Sequence, residues 1–287
     1  MQIETKETWK QLGHGAMSFL IAFAVVLILA RVIHGRIPNL AGVVIIAVAA
    51  WAAYFAGSRW IERRRPPELK PPGRIAEFSE GLGIGIGLFS GVMAVLWVAG
   101  VYHPTGWGTF AGLGTGALAA LGAATLEEVI FRAYLFRLLS MATGTWIAVL
   151  VTSALFGAVH AANPGANLFS SLAIALEAGV ILAGAYAVTG RLWMPIGLHA
   201  GWNFAEGALF GMSVSGGPAS AALSHGILRG PTILTGGAFG PEASIAVLLC
   251  LAVGVILLWH TVRLAQVEHP MWKRGPATAT TMVTGIC

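Results

Sequence analysis

Long apolar runs recur along this chain, and polar residues fall mostly in the gaps between them. A helix rises 1.5 Å per residue, so about 20 apolar residues cross the ~30 Å hydrocarbon layer of a bilayer. On that measure the runs predict about eight transmembrane helices, at 16–33, 40–57, 81–101, 110–139, 146–161, 171–188, 193–210 and 243–261. The expected fold class is all-α, a polytopic membrane helical bundle. The first run is long for a signal-peptide core of about 7–15 residues and has no convincing small-residue cleavage site, so it is expected to stay as a span.

The gaps sort by chemistry. Residues 58–79 hold Arg59, Arg63, Arg64, Arg65, Lys70 and Arg74 among four prolines, which predicts a stiff, basic connecting loop. Residues 102–108 form a short uncharged turn. Residues 211–241 are rich in Gly, Ser and Pro and repeat Gly-Pro at 217–218, 230–231 and 240–241. That stretch reads as a loop, with a lid over a cavity or a partly re-entrant segment as the alternatives. Three units follow: 1–108 with the N-terminal spans and the basic loop, 109–210 as a core, and 211–287 with the Gly-rich stretch, a last span and a polar tail.

Composition strengthens this picture. Of 287 residues, 56% are hydrophobic and 10% charged, against roughly 25% charged in an average soluble domain. The net charge of +5 sits beside apolar runs rather than on a soluble domain, which fits topogenic charge and gives no reason to expect a nucleic-acid partner. Eight spans put both termini on one side together with the 58–79 loop, Arg137, Arg191, Arg263, Lys273 and Arg274; the positive-inside rule makes that side the cytoplasm of a cell membrane. Tryptophans 9, 60, 107, 146, 193 and 259 lie near span ends, as interfacial anchors do. Cys250 and Cys287 offer neither a CxxC pair nor a disulfide framework, and Cys287 is not placed for CaaX prenylation.

Charge inside the apolar runs is the main departure from the pattern. Glu127, Glu128 and Arg132 stand in the fourth run, where each charge facing lipid would cost roughly 2.5–3.5 kcal/mol. Residues four apart share a helix face, so Glu128 and Arg132 are expected to pair structurally. Glu127 points about 100° away and is left free as a general base. The rival reading is a purely structural charge cluster. Phe156 and His160 share a face of the fifth run, and His199 and Asn203 share one on the seventh. Together these types suit amide hydrolysis: Glu127 and His160 holding a water, His199 and Asn203 donating to an oxyanion. Glu206 follows on the face of His199 and Asn203, where it borders the same cavity or forms a structural pair.

Other chemistries fare less well. Glu127, His160 and His199 could form a zinc site, although asparagine is an uncommon zinc ligand and no HExxH is present. GxSxG is also absent, and the chain has no aspartate for an aspartyl dyad. A proton-coupled transporter would use buried Glu and His too, but no internal repeat supports it.

Glu127-Glu128-x-x-x-Arg132, Phe156-x-x-x-His160 and His199-x-x-x-Asn203, in this order on successive apolar helices, resemble the CPBP family of intramembrane proteases, the CAAX-protease, Abi or Rce1-like group. The resemblance implies a glutamate-dependent endopeptidase in which Glu127 and His160 activate water and His199 and Asn203 form the oxyanion hole. It implies no cofactor, with Zn2+ as the alternative often assigned to the family. Its partners would be the bilayer and a membrane protein or lipidated peptide as substrate, of prenylated CaaX or bacteriocin-like type. A non-catalytic immunity or scaffolding protein of the same fold is the remaining alternative. One difficulty attends the motif: in straight spans with the boundaries above, His160 lies deeper than Glu127 and His199, so tilt, a later start to the fifth span or a break near Asn163-Pro164 is required.

Overall fold

The computed structural model describes residues 2–218, 221–244 and 247–271. Lys273, Arg274 and Cys287, assigned above to a cytoplasmic tail, lie outside the described residues. The chain is a helical membrane bundle. Its helices are α1 (Gln2–Ile33), α2 (Asn39–Ala56), α3 (Arg74–Val98), α4 (Ala111–Glu128), α5 (Arg137–Thr143), α6 (Thr145–His160), α7 (Leu168–Ile174), α8 (Val180–Thr189), α9 (Trp193–Phe204), the short α10 (Thr232–Thr235) and α11 (Val247–Arg263). π-helical turns extend or join several of them at Gly57–Ile61, Val129–Phe136, Ala175–Gly179 and Ala205–Leu209. Each predicted span overlaps helix among the described residues. Among the described residues five continuous helices are long and apolar enough to cross a bilayer: Lys6–Ile33, Asn39–Ile61, Arg74–Val98, Ala111–Thr143 and Leu168–Thr189. Thr145–His160 and Leu249–Arg263 are apolar but shorter.

Many large apolar side chains point outward, among them Ile28 and Leu150, 65% and 70% exposed. In water this would be a liability; against acyl chains it is the expected arrangement. Lipid also removes most of the hydrophobic drive for helices to associate, so close backbone packing must supply it. The contact between α3 and α9 shows how. A Cβ on Gly81 or Gly85 would collide with the carbonyl oxygens of Met194 or Leu198, and one on Gly197 or Gly201 with those of Phe78 or Leu82. Each helix thus carries a small-xxx-small pair pressed against the other backbone. Not every glycine in these spans does this: Gly83, Gly87, Gly91 and Gly114 would meet nothing.

Two features depart from a purely helical reading. The 102–108 turn is strand β1 (Tyr102–Trp107), and it pairs antiparallel with β2 (Ser224–Leu228) inside the Gly-rich stretch. The basic loop also folds inward rather than spreading into solvent. Arg64 bonds Glu62 at 2.7 Å, Glu68 at 2.8 Å and the Tyr54 hydroxyl at 2.9 Å, and Arg137 reaches Glu62 at 2.8 Å. Glu68 is fully buried, and its carbonyl accepts the N–H of Leu192, itself buried just ahead of α9. So α9 starts inside the bundle, beneath this loop. Trp9, Trp60, Trp107, Trp146 and Trp259 are exposed as anchors should be. Trp193 is half-buried: it packs on Trp51 at 5.6 Å and donates to Lys70 O at 3.2 Å.

Candidate active site

Glu127 and Glu128 end α4, and the backbone then widens into the π-helical turn 129–136 that carries Arg132. Such turns interrupt the regular ladder and recur at functional sites. Glu128 and Arg132 are both fully buried and pair at 3.1 Å. The guanidinium also donates to the carbonyls of Ala178 and Gly179, at 3.4 and 3.3 Å, which lie at the end of the π-helical turn 175–179. Its flat face lies 4.8 Å from the Phe156 ring centroid. Arg132 therefore ties α4 to α6 and to the α7–α8 segment, as a buried cation must be tied.

α6 delivers His160 at its last turn. Asn163-Pro164 stops the helix there, because the residue before a proline is pushed out of the helical region. The depth problem disappears for two reasons. The helix carrying Glu127 continues to Thr143, so Glu127 and His160 each lie about 16 residues from the α5–α6 turn, roughly 24 Å along their axes. The buried start of α9 then brings His199 to the same level. His160 Nδ1 donates to Phe156 O at 2.7 Å, which leaves Nε2 as the acceptor in the neutral ring.

His199 lies between Gly197 and Gly201, so the α3–α9 contact fixes its helix directly. Its Nδ1 faces Glu128 Oε1 at 3.0 Å. A carboxylate can only accept, so Nδ1 carries the proton. Glu127 completes the arrangement: its Oε2 stands 3.9 Å from His160 Nε2 and 4.0 Å from His199 Nε2. These separations are too long for direct hydrogen bonds and suit a shared water. Asn203, one turn after His199, is half-buried and lines a cavity of about 30 Å3 with Phe156, His160 and His199, more than the roughly 10–15 Å3 that holding a water requires.

The structure thus brings Glu127, Glu128, Arg132, Phe156, His160, His199 and Asn203 together. Glu206 is fully buried but does not line the cavity. Ser215, Glu177 and Glu242 do line it. Glu177 in the sixth apolar run has no partner visible in sequence and reads there as a structural or cavity residue; the sequence does not single out the other two. A buried glutamate within an apolar run was a signal for Glu177; Ser215 and Glu242 sit in the Gly-rich stretch, where no periodicity points inward.

Glu127, His160 and His199 stand wider apart than the ligands of a bound zinc ion. Ligand atoms about 2.0–2.1 Å from a tetrahedral ion stand roughly 3.3 Å apart, less than the 3.9 and 4.0 Å found here. Among the described residues no three His, Cys, Asp or Glu side chains form a metal-binding group.

A Glu-Glu-Arg helix end, two histidines held through their Nδ1 atoms and an asparagine one turn on thus share one site inside a helical membrane protein. Residues 107–205 match the family described as Type II CAAX prenyl endopeptidase Rce1-like. Over 78 residues the chain is 37% identical to the protein named "Putative membrane peptidase YdiL" of Bacillus subtilis (strain 168). The matched part covers 27% of this chain and 30% of that protein's length. No solved structure matches the chain.

Proposed function

We propose that the chain is an intramembrane endopeptidase that cleaves membrane-associated polypeptides without a metal. The observation that carries this reading is the placement of Glu127 Oε2 at nearly equal distances from the Nε2 atoms of His160 and His199, on two other helices. A water bound there donates one hydrogen to Glu127 and the other to His160 Nε2. Its oxygen attacks the scissile carbonyl carbon, and Glu127 takes the proton. The oxyanion accepts hydrogen bonds from Asn203 Nδ2 and from His199 Nε2–H. Because Nδ1–H already faces Glu128, Nε2 donates only when the ring is doubly protonated, and the Glu128 carboxylate compensates that charge. As the C–N bond breaks, Glu127 returns its proton to the departing amine. Arg132 and protonated His199 then balance Glu127 and Glu128, so the buried group is neutral overall.

The family match supports a prenylated CaaX-type substrate, with a bacteriocin-like peptide as the second class. The charge asymmetry supports a cell-membrane protein with both termini in the cytoplasm. The test is cleavage of prenylated and unmodified peptides by the purified protein and by its Glu127→Gln and His160→Ala variants. Undiminished cleavage by Glu127→Gln would sink the mechanism.

A further inference from the structure

Three carboxyl groups outside the proposed catalytic set are buried next to the cavity. Glu177 comes from the turn between α7 and α8, Glu206 from the turn extending α9, and Glu242 from the 3-10 turn Pro241–Ala243 ahead of α11; they are 2%, 0% and 3% exposed. The charged groups that face Glu242 are Glu206 and His160; Glu206 faces Glu242 and Glu177; Glu177 faces Glu242. Among the described residues no lysine or arginine forms an ion pair with any of the three. Burying one unpaired carboxylate already costs several kcal/mol, so three adjacent negative charges cannot coexist there. A carboxyl that keeps its proton donates as well as accepts.

Glu242 differs from the other two in belonging to the long connection between α9 and α11. Its Oε1 accepts the N–H of Ser215 at 2.6 Å. The Ser215 carbonyl in turn accepts from Asn163 Nδ2 at 3.0 Å, just past His160, and Gly216 N–H donates to Phe239 O at 2.7 Å. The connection is therefore fastened to the end of α6 on one side and laid against Glu206 of the α9 extension on the other. Ser215 and Glu242 line the cavity together with Phe156 and His160 of α6 and His199 and Asn203 of α9.

We propose that Glu242 is a positioning residue: set against Glu206 and holding the Ser215 N–H, it keeps the segments around Ser215 and Glu242 in place as the roof of the His160–His199–Asn203 cavity and so governs how a substrate backbone reaches Glu127. The second half of this inference rests on the proteolytic reading; the roof does not.

Cys250 supplies a reporter independent of cleavage, because its side chain is fully buried and lines the same cavity. In a Cys287→Ser protein it is the sole cysteine. We expect slow reaction of Cys250 with N-ethylmaleimide in that parent, at least tenfold faster reaction in Glu242→Ala, and a KM for peptide that rises more than kcat falls. Glu242→Gln keeps an acceptor for Ser215 and a donor for Glu206, so it should restore both protection and KM. Glu242→Asp, whose carboxyl is drawn back by one carbon, serves if the alanine variant does not fold and should label at an intermediate rate. Equal labelling of parent, alanine and aspartate variants overturns the roof, and so does a glutamine variant that labels as fast as alanine. Faster labelling with an unchanged KM overturns the substrate role. If labelling responds as expected while no variant or parent cleaves any peptide, the proteolytic reading fails and the roof stands.

Discussion

Glu128 Oε1 lies 3.0 Å from Nδ1 of His199, while Arg132 holds the same carboxylate at 3.1 Å from the other side. Glu128 is therefore more than the partner of an arginine on its own helix. It joins two helices and sets which nitrogen of His199 carries the proton. Replacing it with alanine leaves Arg132 buried without its anion, a loss of about 3–5 kcal/mol for a broken buried pair. Glu128→Gln keeps the shape and removes the charge that balances protonated His199. We expect kcat to fall on the order of 10²-fold, the usual cost of losing one oxyanion donor. Thermal unfolding in detergent and steady-state cleavage measure the two effects.

Glu127 should behave in the opposite way. Its side chain is 28% exposed, and the histidine nitrogens it faces are 3.9 and 4.0 Å away. Little folding energy is held in those contacts. Glu127→Gln should remove a general base worth about 10²–10⁴-fold in rate while shifting stability by less than about 0.5 kcal/mol. A thermal midpoint that drops along with activity would mark Glu127 as a structural residue instead.

Legibility in the sequence followed sequence separation. The four-residue face rule was enough to pair Glu128 with Arg132 and to set His199 beside Asn203, because helix geometry alone decides both. The contact of Glu128 with His199 spans 71 positions, and no local period encodes it. The inward fold of the basic loop was hidden because its arginines read as solvated charge, whereas Arg64 and Arg137 are consumed by Glu62 and Glu68. The depth of His160 had another source: the fourth helix continues past the predicted end at 139 to Thr143, which sets Glu127 as far from the α5–α6 turn as His160 is. Glu242 stayed invisible because glycine-rich backbone places a side chain through its turns rather than through a repeat.

The zinc reading and the metal-free one diverge in a direct measurement. With Glu127 as the base and His199 and Asn203 as donors, peptide cleavage should continue unchanged in a strong chelator, and the purified protein should carry no stoichiometric metal by elemental analysis. Loss of cleavage that returns only with added zinc would require Glu127, His160 and His199 to close in from their present separations.

The α3–α9 contact gives a test of how the scaffold serves the site. A Cβ on Gly85 would be driven into the backbone oxygen of Leu198, the residue next to His199, and backbone cannot rotate away as a side chain could. Overpacking of this kind costs about 1–3 kcal/mol and is relieved here by separating the two helices. Such a shift would carry His199 away from Glu127 and Glu128 together. Gly85→Ala is therefore expected to lower both the unfolding midpoint and kcat, although it touches no group in the proposed reaction. Gly87→Ala, on the same helix, would meet nothing within 4 Å and should leave both unchanged. Equal behaviour of the two variants in unfolding and cleavage assays would show that His199 is not positioned through this glycine contact.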